Sequence, residues 1–558
     1  MNDRRVEKLS NFKRQEILNN LKQDQELDLI VIGGGITGAG IALDAATRGL
    51  KTAVLEMQDF AAGTSSRSTK LVHGGLRYLA GFEVKLVAEV GKERAIVYEN
   101  GPHVTTPEWM MLPFHKGGTF GPFTTNIGLR MYDFLAGVKK SERRKMLDPS
   151  EALRKEPLLK KNDLKGAGYY VEYKTDDARL TLEVMKKAVE HGAQAINYMK
   201  VINFIYNDEG HVIGVETEDQ LTGDKDALYA KKIINACGPW VDTLREIDGS
   251  NQGKHLYLTK GVHLVFSNDV FPLQQAIYFD APDGRMVFAI PREGKTYVGT
   301  TDTPYDANIA HPTATVEDRD YIIGAIHDMF PSINITADDV ESSWAGLRPL
   351  IAEDGKNPDE ISRKDEIFTS DSGLLSIAGG KLTGYRKMAE QIVDIVVKQL
   401  KEEEGILYSE SVTKHETISG GDVGGSKGFA TFKKQKIQEA MKLGISEENA
   451  IRIVSRYGSN VDTILDIYQE KKEEAEKENI DRLVFAELIY GVEKEWVCKP
   501  VDFFIRRTGA LFFHIDWVYH HKDAVTQYLA KTFEWTNSEQ NEYEAELEQL
   551  LDEATFKS

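Results

Sequence analysis

The chain has 558 residues and a mass of 62.6 kDa, 41% hydrophobic and 28% charged, which excludes disorder as the main state and leaves room for roughly two to four packed domains. Lys and Arg number 69 against 88 Asp and Glu, and a net charge of −19 argues against a protein that coats nucleic acid, whose phosphates need a basic face. Cys237 and Cys498 are too few for a disulfide framework, which fits a reducing cytosol.

Residues 1–26 read as a charged helical lead-in. Within 1–22 six basic residues stand against Asp3, Glu7 and Glu16, and an imperfect apolar stripe (Val6, Leu9, Phe12, Ile17, Leu18, Leu21) could touch anionic lipid or, as the favoured reading, pack on the chain's own domain. The amino terminus lacks an apolar signal-peptide core. The longest uncharged run, Leu29–Leu43, is fifteen residues broken by five glycines, short of the roughly 20 apolar residues of a membrane span.

Asp28–Ile32 reads as a buried strand, Gly33–Gly38 as a glycine turn, Ala39–Gly49 as a helix with small residues on one side, and Thr52–Glu56 as the next strand. Further on, the pattern predicts a helix over 178–191 and strands over 198–206 and 211–217. Lys231–Ala236 is an apolar strand that runs into Cys237-Gly238-Pro239-Trp240, a second glycine break. Short alternating segments between 262 and 302 predict a mixed or antiparallel sheet, with Met286–Ile290 and Thr296–Thr300 forming a hairpin around Arg292-Glu293-Gly294. Leu374–Ala378 is another buried strand, followed by Gly379–Gly384 and a helix over 383–403. From 401 to 558 the texture changes: 20 basic and 31 acidic residues, a glycine loop at 420–425 and long polar helices predict a separate helical carboxy-terminal domain.

Gly33, Gly34, Gly35, Thr37 and Gly38 sit in a GxGxxG turn whose parts have mechanical roles. Gly33 permits the tight turn, Gly35 lets backbone approach a pyrophosphate, and Gly38 allows close helix–strand packing, while the helix amino terminus offers N–H groups to phosphate. Glu56, 18 residues after Gly38, would accept hydrogen bonds from ribose hydroxyls and favours an adenosine without a 2′-phosphate. Strand, turn, helix and terminal acid together predict dinucleotide binding; the motif leaves FAD and NAD open. The later junction at Gly379–Thr383 would aim N–H groups at a flavin pyrimidine oxygen and stabilise the charge of the reduced ring.

Five segments carry a resemblance: Asp28–Ile41 (DLIVIGGGITGAGI), Thr64–Ala80 (TSSRSTKLVHGGLRYLA), Val298–Pro304 (VGTTDTP), Gly346–Ile351 (GLRPLI) and Ala378–Gln391 (AGGKLTGYRKMAEQ). Over nearly its whole length the chain resembles the FAD-dependent glycerol-3-phosphate dehydrogenases, the bacterial, quinone-linked, respiratory kind. The resemblance implies FAD held by Gly33, Gly34, Gly35, Thr37, Gly38 and Glu56, by Thr64, Ser65, Ser66, Lys70, Leu71 and His73, and by Gly379, Gly380, Lys381, Leu382 and Thr383. It implies oxidation of sn-glycerol 3-phosphate to dihydroxyacetone phosphate, with Arg77, Tyr78, His263, Arg348 and Lys381 at the substrate, and a membrane quinone as second acceptor. The expected fold is α/β: a doubly wound Rossmann-like FAD-binding domain (27–100, 166–255, 346–404), an interleaved mixed-sheet substrate domain (101–165, 256–345) and a helical carboxy-terminal domain (405–558). The expected place is the cytoplasm, at the inner face of the plasma membrane, with a homodimer admitted.

The chemistry fits these residues. A phosphate dianion needs fixed cations, and the planar fork of arginine suits it. His263 is the first choice of base, because histidine titrates near working pH, and Arg348 is its rival as proton acceptor or oxyanion stabiliser. Each has a structural alternative, an ion pair for any one arginine and a satisfied core residue for His263. The nearest confusable activity is glycerophosphate oxidase, which reduces oxygen to peroxide; only 33 residues separate Arg348 from Lys381, with no room for the extra segment those oxidases carry. A non-enzymatic flavin sensor would leave Arg77, Arg348 and Lys381 without a purpose. Gly294-Lys295-Thr296 ends like a phosphate loop but has Ala289 where its first glycine must be, and His514, Asp516, His520 and His521 match no metal-ligand spacing. Phe503, Phe504, Leu511, Phe512, Phe513 and Trp517 are assigned to the core of the carboxy-terminal domain.

Overall fold

In the computed structural model, residues 9–23, 27–72, 84–135, 142–353, 355, 365–379 and 381–557 are described. Leu27–Ile32 is buried on both faces, as a central parallel strand must be, and it lies between Lys225–Asn235 and Thr52–Leu55. Leu375–Ala378 and Gln194–Ile196 extend this parallel sheet on its two sides, and Glu366–Thr369 adds an antiparallel edge. The helix Ile36–Arg48 covers one face, and the helix Tyr385–Glu404 packs across it at Gly40, where a Cβ would meet the Tyr385 ring at 2.8 Å. This is the Rossmann-like half of the expected α/β fold.

The first helix starts at Ile36 rather than Ala39. Gly35 is still extended (φ −78°, ψ −176°) and caps it, so Gly38 lies inside the first turn and the turn proper is made by Gly33 at φ +111°. The later helix is preceded by a single 3-10 turn, Leu382–Gly384, and stops at Gly405 in the left-handed region (φ +70°).

The second sheet is mostly antiparallel, with one parallel pair between Ala276–Asp280 and Thr105–His115. Its hairpin joins Met286–Arg292 to Lys295–Gly299 through Glu293 and Gly294, both at positive φ (51° and 76°), the tight turn whose twist matches the strands. The expected limits at 166 and 346 fall inside strands of this sheet. Leu164–Thr175 pairs with Thr105–His115, and Val340–Glu353 pairs with Lys254–Ser267 over its length. Composition cannot show which strand a segment hydrogen-bonds to, so both strands run on past the expected limits.

From Gly425 to Ala554 the chain is helical. Phe503, Phe504, Leu511, Phe512 and Phe513 are buried in it, as expected, but the last two also reach the second sheet: Trp344 lies 5.2 Å from Phe512 and 5.7 Å from Phe513. The domain is therefore docked. A buried ionic network ties it to the first sheet. Asp59, fully buried, accepts from Arg507 Nη2 (2.9 Å) and Asn197 Nδ2 (3.0 Å) and is paired with Arg506; Arg179 is paired with Glu495 and donates to the Arg507 carbonyl (2.9 Å).

The lead-in helix, Leu9–Gln23, also packs on its own chain. Arg14 donates to the Asn197 carbonyl (2.6 Å) and pairs with Asp219 (2.9 Å), Lys22 pairs with Asp226 (2.9 Å), and Leu21 is buried. Those basic groups already have protein partners. No described helix is long and apolar enough to cross a membrane.

Candidate active site

The glycine turn is shaped by close approach. A Cβ at Gly33 would stand 2.6 Å from the Ala236 carbonyl oxygen, one at Gly34 2.8 Å from Glu56 Cβ, and one at Gly38 would overlap the Gly33 carbonyl. The second glycine break thus packs directly behind the first, with Cys237 Sγ donating to the Ile32 carbonyl (3.3 Å). Within the turn only Gly35 and Thr37 are part-exposed, so that side is the one open to a phosphate. Gly38→Ala should purify without bound flavin, read as loss of the visible absorbance, because helix and strand can no longer close together.

Glu56 accepts from the Gly34 N–H at Oε2 (2.7 Å) and from the Gln58 N–H at Oε1 (2.8 Å). Burial raises its pKa, while these two donors and Arg506 pull the other way. Each oxygen keeps a second lone pair for a ribose hydroxyl. Ser65 Oγ accepts from the Ile36 N–H (3.0 Å) at the helix amino terminus, which places the segment 64–70 beside the phosphate end.

That segment is stapled to the second sheet. Thr64 Oγ1 donates to the Leu347 carbonyl (2.8 Å), Trp344 Nε1 donates to the Ser68 carbonyl (3.2 Å), and Tyr297 Oη donates to the Thr69 carbonyl (3.0 Å). Gly346 permits the contact, since a Cβ there would lie 3.0 Å from Arg67 Cβ. Lys70 is turned into the protein: its Nζ pairs with Asp177 (2.6 Å), donates to the Ser66 carbonyl (3.0 Å) and lies 5.4 Å from the Trp344 ring. Any part it takes at a cofactor must therefore come from its backbone. Ser66 and Leu71 are buried, and Leu71 opens a short strand paired to Leu164–Thr175.

His263 and Arg348 stand on neighbouring strands. His263 pairs with Trp344, and Arg348 pairs with Thr259, so both point to the face that meets the 64–70 segment. Arg348 Nη2 donates to Thr300 Oγ1 (2.8 Å), Nη1 donates to the Thr301 carbonyl (3.2 Å) and meets Asp302 (3.3 Å), yet 29% of its side chain stays exposed. Gly261 makes this possible: a Cβ there would lie 2.8 Å from the centre of the guanidinium. His263, 2% exposed, stacks on Trp344 at 4.7 Å and shares a hydrogen bond between Nε2 and Thr69 Oγ1 (3.0 Å). Burial first, then the charges of Arg348 and Lys70, holds its pKa well below the usual value, so the ring is neutral. Its Nδ1 is buried without a hydrogen-bond partner among the described residues.

Gly379 is at φ +75°, Lys381 and Leu382 are part-exposed, and Thr383 is buried in the 3-10 turn that opens the Tyr385–Glu404 helix. His73, Arg77, Tyr78 and Gly380 lie outside the described residues. Sequence reasoning missed Thr69, Gly261, Tyr297, Trp344 and the arginine-holding pair Thr300 and Asp302. The last two stand in the quoted VGTTDTP segment, whose polar residues were the available signal.

The family model for FAD dependent oxidoreductases matches residues 28–386, and that for the C-terminal domain of alpha-glycerophosphate oxidase matches residues 411–540. The chain belongs to the aerobic glycerol-3-phosphate dehydrogenases, a family of FAD-dependent oxidoreductases. It is 63% identical over 545 residues to the aerobic glycerol-3-phosphate dehydrogenase of Bacillus subtilis (strain 168), with 98% of each chain covered. It is 58% identical over 548 residues to that of Staphylococcus haemolyticus (strain JCSC1435), again with 98% of each covered. Its fold matches the X-ray structure of the glycerol-3-phosphate dehydrogenase from Bacillus halodurans complexed with FAD, at a TM-score of 0.85, 53% identity and 98% of each chain. L-alpha-glycerophosphate oxidase from Mycoplasma pneumoniae shares the fold alone, at a TM-score of 0.55 and 18% identity over 69% of this chain and 97% of its own. FAD is the cofactor of this chain, and the glycine cradle with its backbone-oriented Glu56 fits it.

Proposed function

We propose that this protein oxidises sn-glycerol 3-phosphate to dihydroxyacetone phosphate and passes the electrons to a membrane quinone, at the inner face of the plasma membrane. The observation that carries the reading is Arg348: a planar cation whose partners include Thr300 Oγ1, the Thr301 carbonyl and Asp302, with 29% of its side chain exposed, on the sheet face to which the cofactor-side segment 64–70 is stapled. In a chain of net charge −19, such a cation has a use where a phosphate or a developing alkoxide must be held.

The roles follow from position. The turn at Gly33, Gly34, Gly35, Thr37 and Gly38 would hold the pyrophosphate and Glu56 the ribose. Thr64, Ser65, Ser66, the backbone of Lys70 and Leu71, His73, and the loop Gly379, Gly380, Lys381, Leu382 and Thr383 would flank the rest. Arg77, Tyr78, Arg348 and Lys381 would receive the substrate. When bound, FAD supplies the hydride acceptor. Arg348 would stabilise charge at the substrate oxygen; His263 would take the hydroxyl proton as a neutral ring, but burial and the charges of Arg348 and Lys70 make it a weaker base than the free histidine the sequence suggests, and its Nδ1 is buried.

The test is anaerobic. Adding sn-glycerol 3-phosphate to the yellow holoenzyme should bleach the flavin, and admitting air should restore the colour slowly while a quinone analogue restores it fast. No bleaching refutes the substrate. Fast recovery in air with peroxide assigns the chain to the oxidases instead.

A further inference from the structure

The His263 ring is clamped between two neighbouring strands. On one it pairs with Trp344, whose ring stacks on it at 4.7 Å with 11° between the planes. On the other it pairs with Gly299, where any Cβ would overlap the imidazole. His263 Nε2 meets Thr69 Oγ1 (3.0 Å), and the residue before Thr69 is tied back to the same indole, because Trp344 Nε1 donates to the Ser68 carbonyl (3.2 Å). Trp344 thus fixes both the stack on His263 and the segment that carries its hydrogen-bond partner.

Trp344 is held in turn from the carboxy-terminal domain. Phe512 packs on it at 5.2 Å and Phe513 at 5.7 Å, and the Phe512 carbonyl accepts from Ser342 Oγ, two residues before Trp344. Phe513 also meets Tyr297 at 5.8 Å, and Tyr297 lies 5.6 Å from Trp344 and 6.3 Å from His263. All four aromatic residues are buried, and close-packed rings pass on a displacement instead of absorbing it. Charges meet this cluster at its edges. Arg348 and Lys70 act on the imidazole; the Lys70 ammonium, paired with Asp177, lies 5.4 Å from the rings of Trp344 and Phe512, and Arg292 stacks on Phe513 at 4.6 Å. Excluding water here strengthens the hold of these cations on His263.

We infer that Trp344 is a positioning residue for His263, and that Phe512 and Phe513 place the imidazole under the control of the carboxy-terminal domain. The helical domain thereby takes a part in the reaction, by setting the plane and the water exclusion of the ring. The inference rests on the role of His263 as proton acceptor proposed above.

The experiment is the rate of anaerobic flavin reduction by sn-glycerol 3-phosphate in the holoenzyme, per bound flavin, followed from acid to neutral pH. A neutral ring accepts the proton, so the rate falls as the pH drops through the histidine pKa, which lies well below the ordinary value in the wild type. Trp344→Leu should slow reduction at neutral pH by about tenfold to a hundredfold, because the ring loses its alignment. It should also move the acid limb up towards the ordinary value of about 6.5, because water reaches the ring. Trp344→Phe, which keeps a stacking face, should restore most of the rate and the position of the limb. Phe512→Leu with Phe513→Leu should act as Trp344→Leu does, to a smaller extent. Phe485→Leu, in the same domain but packed on Tyr528, should lower the melting temperature and leave the limb in place. Diethylpyrocarbonate labelling, mapped by mass spectrometry, should spare His263 in the wild type and reach it in Trp344→Leu. An unmoved limb or an unlabelled His263 in Trp344→Leu would overturn the inference, as would a shift of equal size in Phe485→Leu. Should Trp344→Leu not fold, the double phenylalanine variant decides by the same two readings. His263→Asn separates the two claims: reduction at the wild-type rate refutes the proton-acceptor role and the inference with it, whereas a large loss there with an unmoved limb in Trp344→Leu refutes the positioning alone.

Discussion

Arg348→Ala is expected to lower kcat/KM for sn-glycerol 3-phosphate by about 10²–10³, with KM raised and kcat reduced together, because in the proposed roles one guanidinium would serve both binding and the oxygen that develops charge. The holoenzyme should still be yellow, since Arg348 stands on the second sheet and its hydrogen bonds to Thr300 and the Thr301 carbonyl lie away from the glycine turn. Lysine at this position should recover little: a point charge cannot reproduce the fork that meets Thr300 Oγ1, the Thr301 carbonyl and Asp302 at once. Gly261→Ala should act in the same direction without touching the charge, because its Cβ would push the guanidinium out of line. Steady-state kinetics with a soluble acceptor, alongside flavin content, checks all three; unchanged kinetics in Arg348→Ala would remove it from the site.

The second large effect is on stability. Asp59→Asn is expected to destabilise the protein by about 3–5 kcal/mol, since it leaves Arg506 and Arg507 buried without the carboxylate that faces both. Asp59 itself would be pushed up by burial, but Arg507 and then Arg506 outweigh that and hold its pKa below the ordinary carboxylate value. The contribution is therefore fully present above the ordinary carboxylate range and is lost as the pH falls through the lower folded value. Denaturant unfolding at neutral pH, compared between wild type and Asp59→Asn, tests the size, and the difference should shrink towards acid pH. Equal stability of Asp59→Asn and wild type would show that the network does not hold the carboxy-terminal domain in place.

Much of the dinucleotide end was legible from local pattern. A strand, a glycine turn, a helix and an acid must follow one another at nearly fixed spacing to make a pyrophosphate cradle, so Gly33, Gly35, Gly38 and Glu56 could be named from their order alone. The helix start was misplaced by three residues because the small residue at 38 reads as turn, whereas the extended Gly35 is what ends the turn. The hairpin around Glu293-Gly294 and the buried aromatic residues after 500 were legible for similar reasons, local turn chemistry and apolar density.

The surroundings of His263 were not legible. Its neutrality comes from burial under Trp344 and from two cations, Arg348 and Lys70, which reach it from distant parts of the chain. Lys70 looked like a cofactor ligand in its motif, but Asp177, 107 residues away, takes its charge. No periodicity reports which carboxylate will meet which amine across the fold.

What the sequence determined by itself is therefore the class of cofactor site and the alternation of strand and helix, because these follow from short-range sterics and hydrogen bonding. Only the tertiary structure decided how the Arg348 guanidinium is held, that Lys70 is spent on Asp177, and that Asp59 joins Arg506 and Arg507 across more than 440 positions. Those arrangements depend on long-range burial, where an unpaired charge costs so much that partners must be brought together by the fold, whatever their distance along the chain.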